Sequence, residues 1–195
     1  MITGIVLAGG RSLRMGRPKA LLKVEDETFL ERVLRTLREG GCEEVVVVLN
    51  VEDREASQII SGAGARSTLG AGAGTEQIES LRAGLRALSP ASDAAVVLPV
   101  DHPLVEPSTV AALIDAFRAR RAPVLRATCE GRHGHPVLFS ASVFEELLTG
   151  DTPEGARSVV RGHAGEVEDV EVEDRGVTID VDTPDDYEEH LGEVP

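Results

Sequence analysis

Two apolar runs without polar alternation constrain this chain most: Val45-Val46-Val47-Val48-Leu49 and Ala94-Ala95-Val96-Val97-Leu98-Pro99-Val100. A half-buried strand alternates apolar with polar residues, so uninterrupted runs of this kind belong to strands covered on both faces, as in a parallel sheet. The segment ahead of the first run agrees. Ile5-Val6-Leu7 is a shorter apolar run, and Thr28 opens a helix with Glu31 three residues on, the spacing of a capping box. Phe29, Leu30, Val33, Leu34 and Leu37 fall on one stripe of that helix, and Gly40-Gly41 stops it. Strand, helix and strand at this spacing require the right-handed crossover of a parallel sheet. The expected fold is α/β, a three-layer αβα sandwich around a Rossmann-like, mostly parallel sheet. With 195 residues, 42% of them hydrophobic but only 3% aromatic and no Trp, one domain over 1–195 suffices, its core built from Val, Leu, Ile and Ala.

The remaining elements follow from local signals. Residues 53–61 are expected to be helical, 62–74 to form a loop rich in Gly, Ala, Ser and Thr, and Thr75 to open a helix that turns Ile78, Leu81, Leu85 and Leu88 inward. A helix is predicted over 108–121, a strand over 124–128 and a returning strand up to Phe139. Short helices are predicted over 141–149 and near 156–161, and strands over 167–172 and 177–181. Thr183 as N-cap, Pro184 in the first turn and Asp186 three residues after the Thr then start a last helix.

Chemistry enters where the first apolar run ends. Leu7-Ala8-Gly9-Gly10-Arg11-Ser12-Leu13-Arg14-Met15-Gly16-Arg17-Pro18-Lys19 reads as a strand running into a glycine-rich loop. Such a loop lets backbone N–H groups converge on phosphate oxygens. The chain carries 20 Lys+Arg against 34 Asp+Glu, a net charge of -14, yet its first 24 residues contain no acid and five of the basic residues: Arg11, Arg14, Arg17, Lys19 and Lys23. A small cationic pocket on an acidic body suits a polyanionic small ligand and argues against nucleic-acid and anionic-membrane surfaces; a solvated basic turn is the plainer alternative. Spacing excludes two other phosphate loops. Five residues separate Gly10 from Gly16 and Ala20 follows Lys19, unlike a P-loop, and no Gly-x-Gly-x-x-Gly is present.

Asp101 follows the run ending at Val100, where ligands of open α/β sheets collect. An Asp there either caps the following turn or holds a metal. His102 reads as a loop residue. Asp180 and Asp182 alternate along the predicted last strand, which places both carboxylates on one face, where a cation or solvent must separate them.

The glycine loop Leu7-Ala8-Gly9-Gly10-Arg11-Ser12-x-Arg14-Met15-Gly16-x-x-Lys19 resembles the signature of the MobA-like nucleoside-triphosphate transferases, which include the molybdenum-cofactor guanylyl- and cytidylyltransferases. Ser80, Leu81, Gly84 and Leu85 match a Ser-Leu-x-x-Gly-Leu helix of that family, although Thr75-Glu76-Gln77 departs from its usual Gly/Ser-rich approach. The resemblance implies a fold of the nucleotide-diphospho-sugar transferase type. It implies an NTP held by Leu7, Ala8, Gly9, Gly10, Arg11, Ser12, Arg14, Lys19 and Ser80, with Arg14 and Lys19 stabilising the departing pyrophosphate. Mg2+, with Mn2+ as a substitute, is expected on Asp101 and Asp182, with Asp180 as a second choice. Residues about 1–105 form the nucleotide half and about 106–195 the acceptor half. Gly134-His135-Pro136-Val137-Leu138-Phe139 resembles a segment beside the acceptor pocket of the cytidylyl branch; a histidine simply fixed by backbone hydrogen bonds is the alternative for His135.

The implied reaction is transfer of a nucleotidyl group to the phosphate of molybdopterin, with a phosphosugar, phosphopolyol or phospholactate as other acceptors. Ala8-Gly9-Gly10-Arg11-Ser12 leans toward GTP, whereas Lys19-Ala20-Leu21-Leu22 and Gly134–Phe139 lean toward CTP, which the larger share of the sequence favours. A non-catalytic nucleotide-binding module is a competing reading. So is a nucleotide-sugar-dependent glycosyltransferase, although such enzymes usually place a metal-binding Asp-x-Asp mid-chain. A molybdoenzyme or chaperone could receive the product. Cys42 and Cys129 lack metal-ligand spacing and read as reduced structural thiols. With no leader-like start and no run near the roughly 18 apolar residues of a membrane span, a cytoplasmic protein is expected.

Overall fold

The computed structural model describes residues 1–9, 18–70, 72 and 77–192. Its centre is a seven-stranded sheet in the order β5-β4-β1-β6-β8-β7-β9: β1 Ile2–Leu7, β4 Glu44–Leu49, β5 Arg66–Leu69, β6 Ala94–Pro99, β7 Val124–Cys129, β8 Arg132–Ser140 and β9 Val167–Glu171. Every neighbouring pair is parallel except the two that β8 makes, with β6 and with β7. A small antiparallel pair, β2 Lys23–Val24 and β3 Glu27–Thr28, precedes the first helix.

Helices cover both faces, as the unalternating runs require. On one side α1 Phe29–Glu39, α2 Arg54–Gly62 and α4 Pro107–Arg120 bury Val33, Leu37, Ile60, Leu113 and Phe117 against Val6, Val45, Val47, Val96 and Leu98. On the other, α3 Gln77–Arg86, α5 Phe144–Thr149 and α6 Ala156–Gly162 bury Ile78, Leu81, Leu147 and Val159 against Ile5, Val48, Ala95 and Val97. Successive residues of β4 and β6 thus enter opposite cores. Each fully buried aliphatic side chain contributes about 1.5–3 kcal/mol relative to exposure. The last helix, α7 Pro184–Leu191, returns to the first face, where Tyr187 stacks on Phe29 at 6.2 Å between ring centroids.

Two expectations are corrected. The segment 62–74 is not all loop, because Arg66–Leu69 pairs in parallel with β4 as the sheet's edge. Its residues are mostly exposed, so the edge strand carries no apolar pattern to read. Residues 177–181 are not a strand. A 3-10 turn spans Arg175–Thr178, and an extended segment without sheet pairing carries the chain to α7. Gly176 forces this course: a Cβ there would lie 2.3 Å from the Leu104 carbonyl oxygen, so the turn is wedged against the 104–105 backbone rather than aligned with the sheet.

Candidate active site

The carboxyl ends of β1 and β6 lie side by side, with Leu7 in register with Pro99. Leu7 is buried, while Ala8 and Gly9 emerge half-buried into the segment that holds Gly10, Arg11, Ser12 and Arg14, which lies outside the described residues. Ala8 donates its N–H to the Val48 carbonyl at 3.0 Å, so the loop starts from a fixed point.

Lys19 lies just beyond that loop, at the start of the 3-10 turn Lys19–Leu21, and its neighbours Ala20 and Leu22 are buried. Its side chain, 10% exposed, reaches two carboxylates far away in sequence. Nζ lies 3.3 Å from Asp101 Oδ2 and also contacts Asp182 Oδ1. Asp101 and Asp182 are 27% and 47% exposed, so both retain a solvent-facing side that a ligand can approach. The three predicted residues therefore meet at one point.

Backbone hydrogen bonds set Asp182 in place. The Val181 N–H donates to the Asp101 carbonyl at 2.8 Å, tying the two aspartate segments together. Asp186, the last member of the predicted capping box, accepts from the Thr183 N–H at 2.7 Å and from the Asp182 N–H at 3.0 Å. Val181 is fully buried between Asp180 and Asp182, so both carboxylates still face the same cavity despite the missing strand. Among the described residues Asp180 has no ion-pair or hydrogen-bond partner.

That cavity has a volume of about 1070 Å³ and runs from Asp101, Asp180 and Asp182 across β8 to α6. His102 and His135 form its shared wall, with ring centroids 4.8 Å apart. Each ring is tied to backbone, His102 at Gly176 and His135 at Val97, and each Nδ1 is buried with no hydrogen-bond partner among the described residues. Burial pushes both pKa values down, to about 3 for His135, where neighbouring His102 adds to the effect; the charges of Asp101, Asp180 and Asp182 oppose it at His102 without overcoming it. Both imidazoles are neutral at pH 7. Gly134 lets β8 close on the turn below it, since a Cβ would sit 1.9 Å from the Val177 carbonyl oxygen. The peptide bond before Pro136 is cis.

Two residues that sequence reasoning passed over belong to this region. Asn50, which follows β4, donates from Nδ2 to the Gly9 carbonyl, while its buried Oδ1 has no partner among the described residues. A Cβ on Gly9 would collide with the Asn50 side chain at 2.5 Å, which accounts for the glycine. Arg157 on α6 lines the cavity and is exposed, and among the described residues it has no ion-pair partner, whereas Arg126 is held by Asp169 and Arg161 by Glu154. An apolar residue ahead of Asn50 and a Gly-Ala before Arg157 gave no chemical signal. Ser80, on α3, is buried, with its Oγ 3.5 Å from the place a Gly70 Cβ would occupy, beside Asn50 rather than beside Lys19.

A family model described as the MobA-like NTP transferase domain matches residues 4–169. A probable molybdenum cofactor guanylyltransferase of Opitutus terrae is 36% identical over 126 residues, covering 64% of this chain and 60% of that protein; the chain thus matches under two thirds of that relative's length. A nicotine blue oxidoreductase of Paenarthrobacter nicotinovorans is 29% identical across 93% of this chain and 92% of that one. Among solved structures, Rv0371c of Mycobacterium tuberculosis superposes with a TM-score of 0.81 at 32% identity over 98% of both chains, and the same protein has been solved in complex with manganese (TM-score 0.75, 99% of both chains). Nucleotidyltransferases under 25% identical share the fold alone, the nucleotide-diphospho-sugar transferase type expected from the sequence. Among the described residues no helix is long and apolar enough to cross a membrane.

Proposed function

This chain belongs to the MobA-like NTP transferase domain family, and from that premise we propose that it is an enzyme that transfers a nucleoside monophosphate from an NTP to the phosphate of molybdopterin, releasing pyrophosphate. The observation that carries the reading is the meeting of Lys19 with Asp101 and Asp182 at one end of a large cavity. Nucleotidyl transfer needs positioning and charge neutralisation more than covalent chemistry. An acceptor phosphate oxygen attacks the α-phosphorus, the bond to the β-phosphate bridging oxygen breaks, and pyrophosphate leaves with the electron pair. A phosphate monoester with a second pKa near 6 is mostly dianionic at pH 7, so neither a protein nucleophile nor a general base is required.

In this reading Leu7, Ala8, Gly9, Gly10, Arg11 and Ser12 hold the triphosphate together with Ser80, and Asn50 supports the loop at Gly9. Arg14 and Lys19 offset charge on the departing pyrophosphate. Asp101 and Asp182 would hold a divalent cation, Mg2+ or Mn2+, with Asp180 next to them. The residues fit such an ion, because two hard carboxylates already converge on one cationic group. Among the described residues no cluster of three or more His, Cys, Asp or Glu forms a ready cage; phosphate oxygens and water would complete the shell, as Mg2+ commonly requires. When bound, the ion would neutralise charge at the α-phosphate. Residues about 1–105 then serve the nucleotide and about 106–195 the acceptor, whose phosphate end is met by Gly134, His135, Pro136 and Arg157.

The donor is GTP in this account. The sequence favoured CTP, but the name of the Opitutus relative supports GTP. Calorimetric titration of GTP and CTP, with and without Mg2+, separates them. Wild type should bind GTP more tightly than CTP in a Mg2+-dependent manner, and Asp101→Ala should lose at least about tenfold in affinity, the size expected for one charged contact. Tighter CTP binding would reverse the donor. Turnover of nicotine blue with no response to either NTP would overturn transfer in favour of the activity named for the Paenarthrobacter relative.

A further inference from the structure

The contact between Lys19 and the two aspartates has a consequence for the order in which ligands bind. Both carboxylates share one ammonium, held in a pocket that leaves the lysine side chain only 10% exposed. A divalent cation coordinates carboxylate oxygens at about 2.1 Å and competes with an ammonium, a like charge only a few ångström away, for the same two carboxylates. The backbone at Lys19 is fixed: Ala20 and Leu22 are buried, and the Leu22 N–H donates to the Lys19 carbonyl at 3.1 Å. Its four-carbon stem carries the rotatable bonds that set where the ammonium lies, and the glycine loop, where phosphates would lie, ends next to it in the chain.

We propose that Lys19 is a resident counter-ion of Asp101 and Asp182, one that a divalent cation must displace and that the nucleotide's phosphates draw away. Nucleotide binding thereby opens the cation site. The proposal rests on the assignment of Asp101 and Asp182 as cation ligands made above. One ammonium contested by two ligands gives a distinctive pattern: its removal helps one ligand and harms the other. A lysine that served only to hold the fold together would harm both or neither.

The test measures Mn2+ alone and GTP alone, each by equilibrium binding. Free Mn2+ is followed by electron paramagnetic resonance without nucleotide, and GTP is titrated in EDTA. Lys19→Gln should bind Mn2+ roughly tenfold more tightly than wild type, within the usual range of coupling between sites, and should bind GTP more weakly. Lys19→Arg, which keeps the charge, controls for folding and should bind Mn2+ as weakly as wild type. Adding Asp101→Asn to Lys19→Gln should abolish the gain. A thermal melt gives a second readout: Mn2+ should raise the Tm of Lys19→Gln more than that of wild type. If Lys19→Gln binds Mn2+ no more tightly than a wild type that does bind it, the counter-ion role is wrong while the cation site stands. If no variant binds Mn2+ at all, the cation assignment fails and the counter-ion role with it.

Discussion

His135 shows how the site shapes a single residue. Buried against His102 and tied to the backbone at Val97, it has a pKa of about 3 in the folded protein, against an ordinary value of 6.5. Between those values the unfolded chain binds a proton that the folded chain refuses, so this term is fully favourable above pH 6.5 and is lost as the pH falls toward 3. Urea midpoints should therefore drop between about pH 7 and pH 4.5, and His135→Asn should show a shallower drop; His102, shifted in the same direction, adds to the drop, as do the carboxylates of Glu27 and Asp186, held below their ordinary range. An equal pH response in the variant would contradict the neutral, buried imidazole. At Lys19 the expectation concerns rate. Lys19→Ala should lower transfer about 100- to 1,000-fold, as loss of one preorganised charge-stabilising group commonly does, with the fold unchanged by circular dichroism. Lys19, Asp101 and Asp182 were singled out in the sequence by charge, by position and by the family resemblance, and the fold brings their side chains together. Asn50 and Arg157 were not, because an amide after a strand and an arginine on a short helix mean something only once the fold has brought them to Gly9 and to the cavity.

Among the elements, α7 does more than close the chain. Thr183 Oγ1 accepts from the Asp186 N–H at 3.2 Å, and the Asp186 carboxylate holds the backbone of both Thr183 and Asp182. The helix cap thus also orients a candidate cation ligand. Thr183→Ala should cost about 1 kcal/mol of stability, a usual value for an N-cap, and Asp186→Ala should reduce transfer as well as the thermal midpoint. Loss of stability with undiminished turnover would separate the cap from the site. A second element-level contact joins α5 to the end of α6: His163 Nε2 lies 2.8 Å from Glu146, and Glu166 is on its other side. The hydrogen bond to Glu146, reinforced by Glu166, raises the His163 pKa above 6.5. Its contribution is complete below pH 6.5 and fades as the pH rises through the folded value, so His163→Gln should lower the Tm more near pH 6 than at alkaline pH. Helices α1 and α7 and the buried strands were readable because capping residues and unalternating runs declare themselves locally. The edge strand β5 and the turn at Arg175–Thr178 depend on a neighbouring strand and on the backbone of Leu104, which sequence spacing does not encode.

At the scale of the whole molecule, the fold joins the first and last parts of the chain at one site. Lys19 contacts Asp182 across 163 positions, and the Tyr187 hydroxyl donates to the Lys23 carbonyl, so the segment that follows the glycine loop is tethered to the C-terminal helix. The chain carries a net charge of -14 while its first 24 residues contain no acid, and Lys19, from that segment, meets Asp101 and Asp182 at the end of the cavity. That separation suits a polyanionic substrate met by local cations on a protein that repels other polyanions. The central claim is tested most directly by following the phosphorus atoms. Protein, Mg2+, GTP and molybdopterin are mixed and observed by 31P nuclear magnetic resonance. The account predicts one pyrophosphate released for each new phosphoanhydride joining GMP to the acceptor, and neither product with Asp101→Ala. Consumption of GTP to GDP and inorganic phosphate, or no consumption of GTP or CTP with any phosphorylated acceptor, would contradict it.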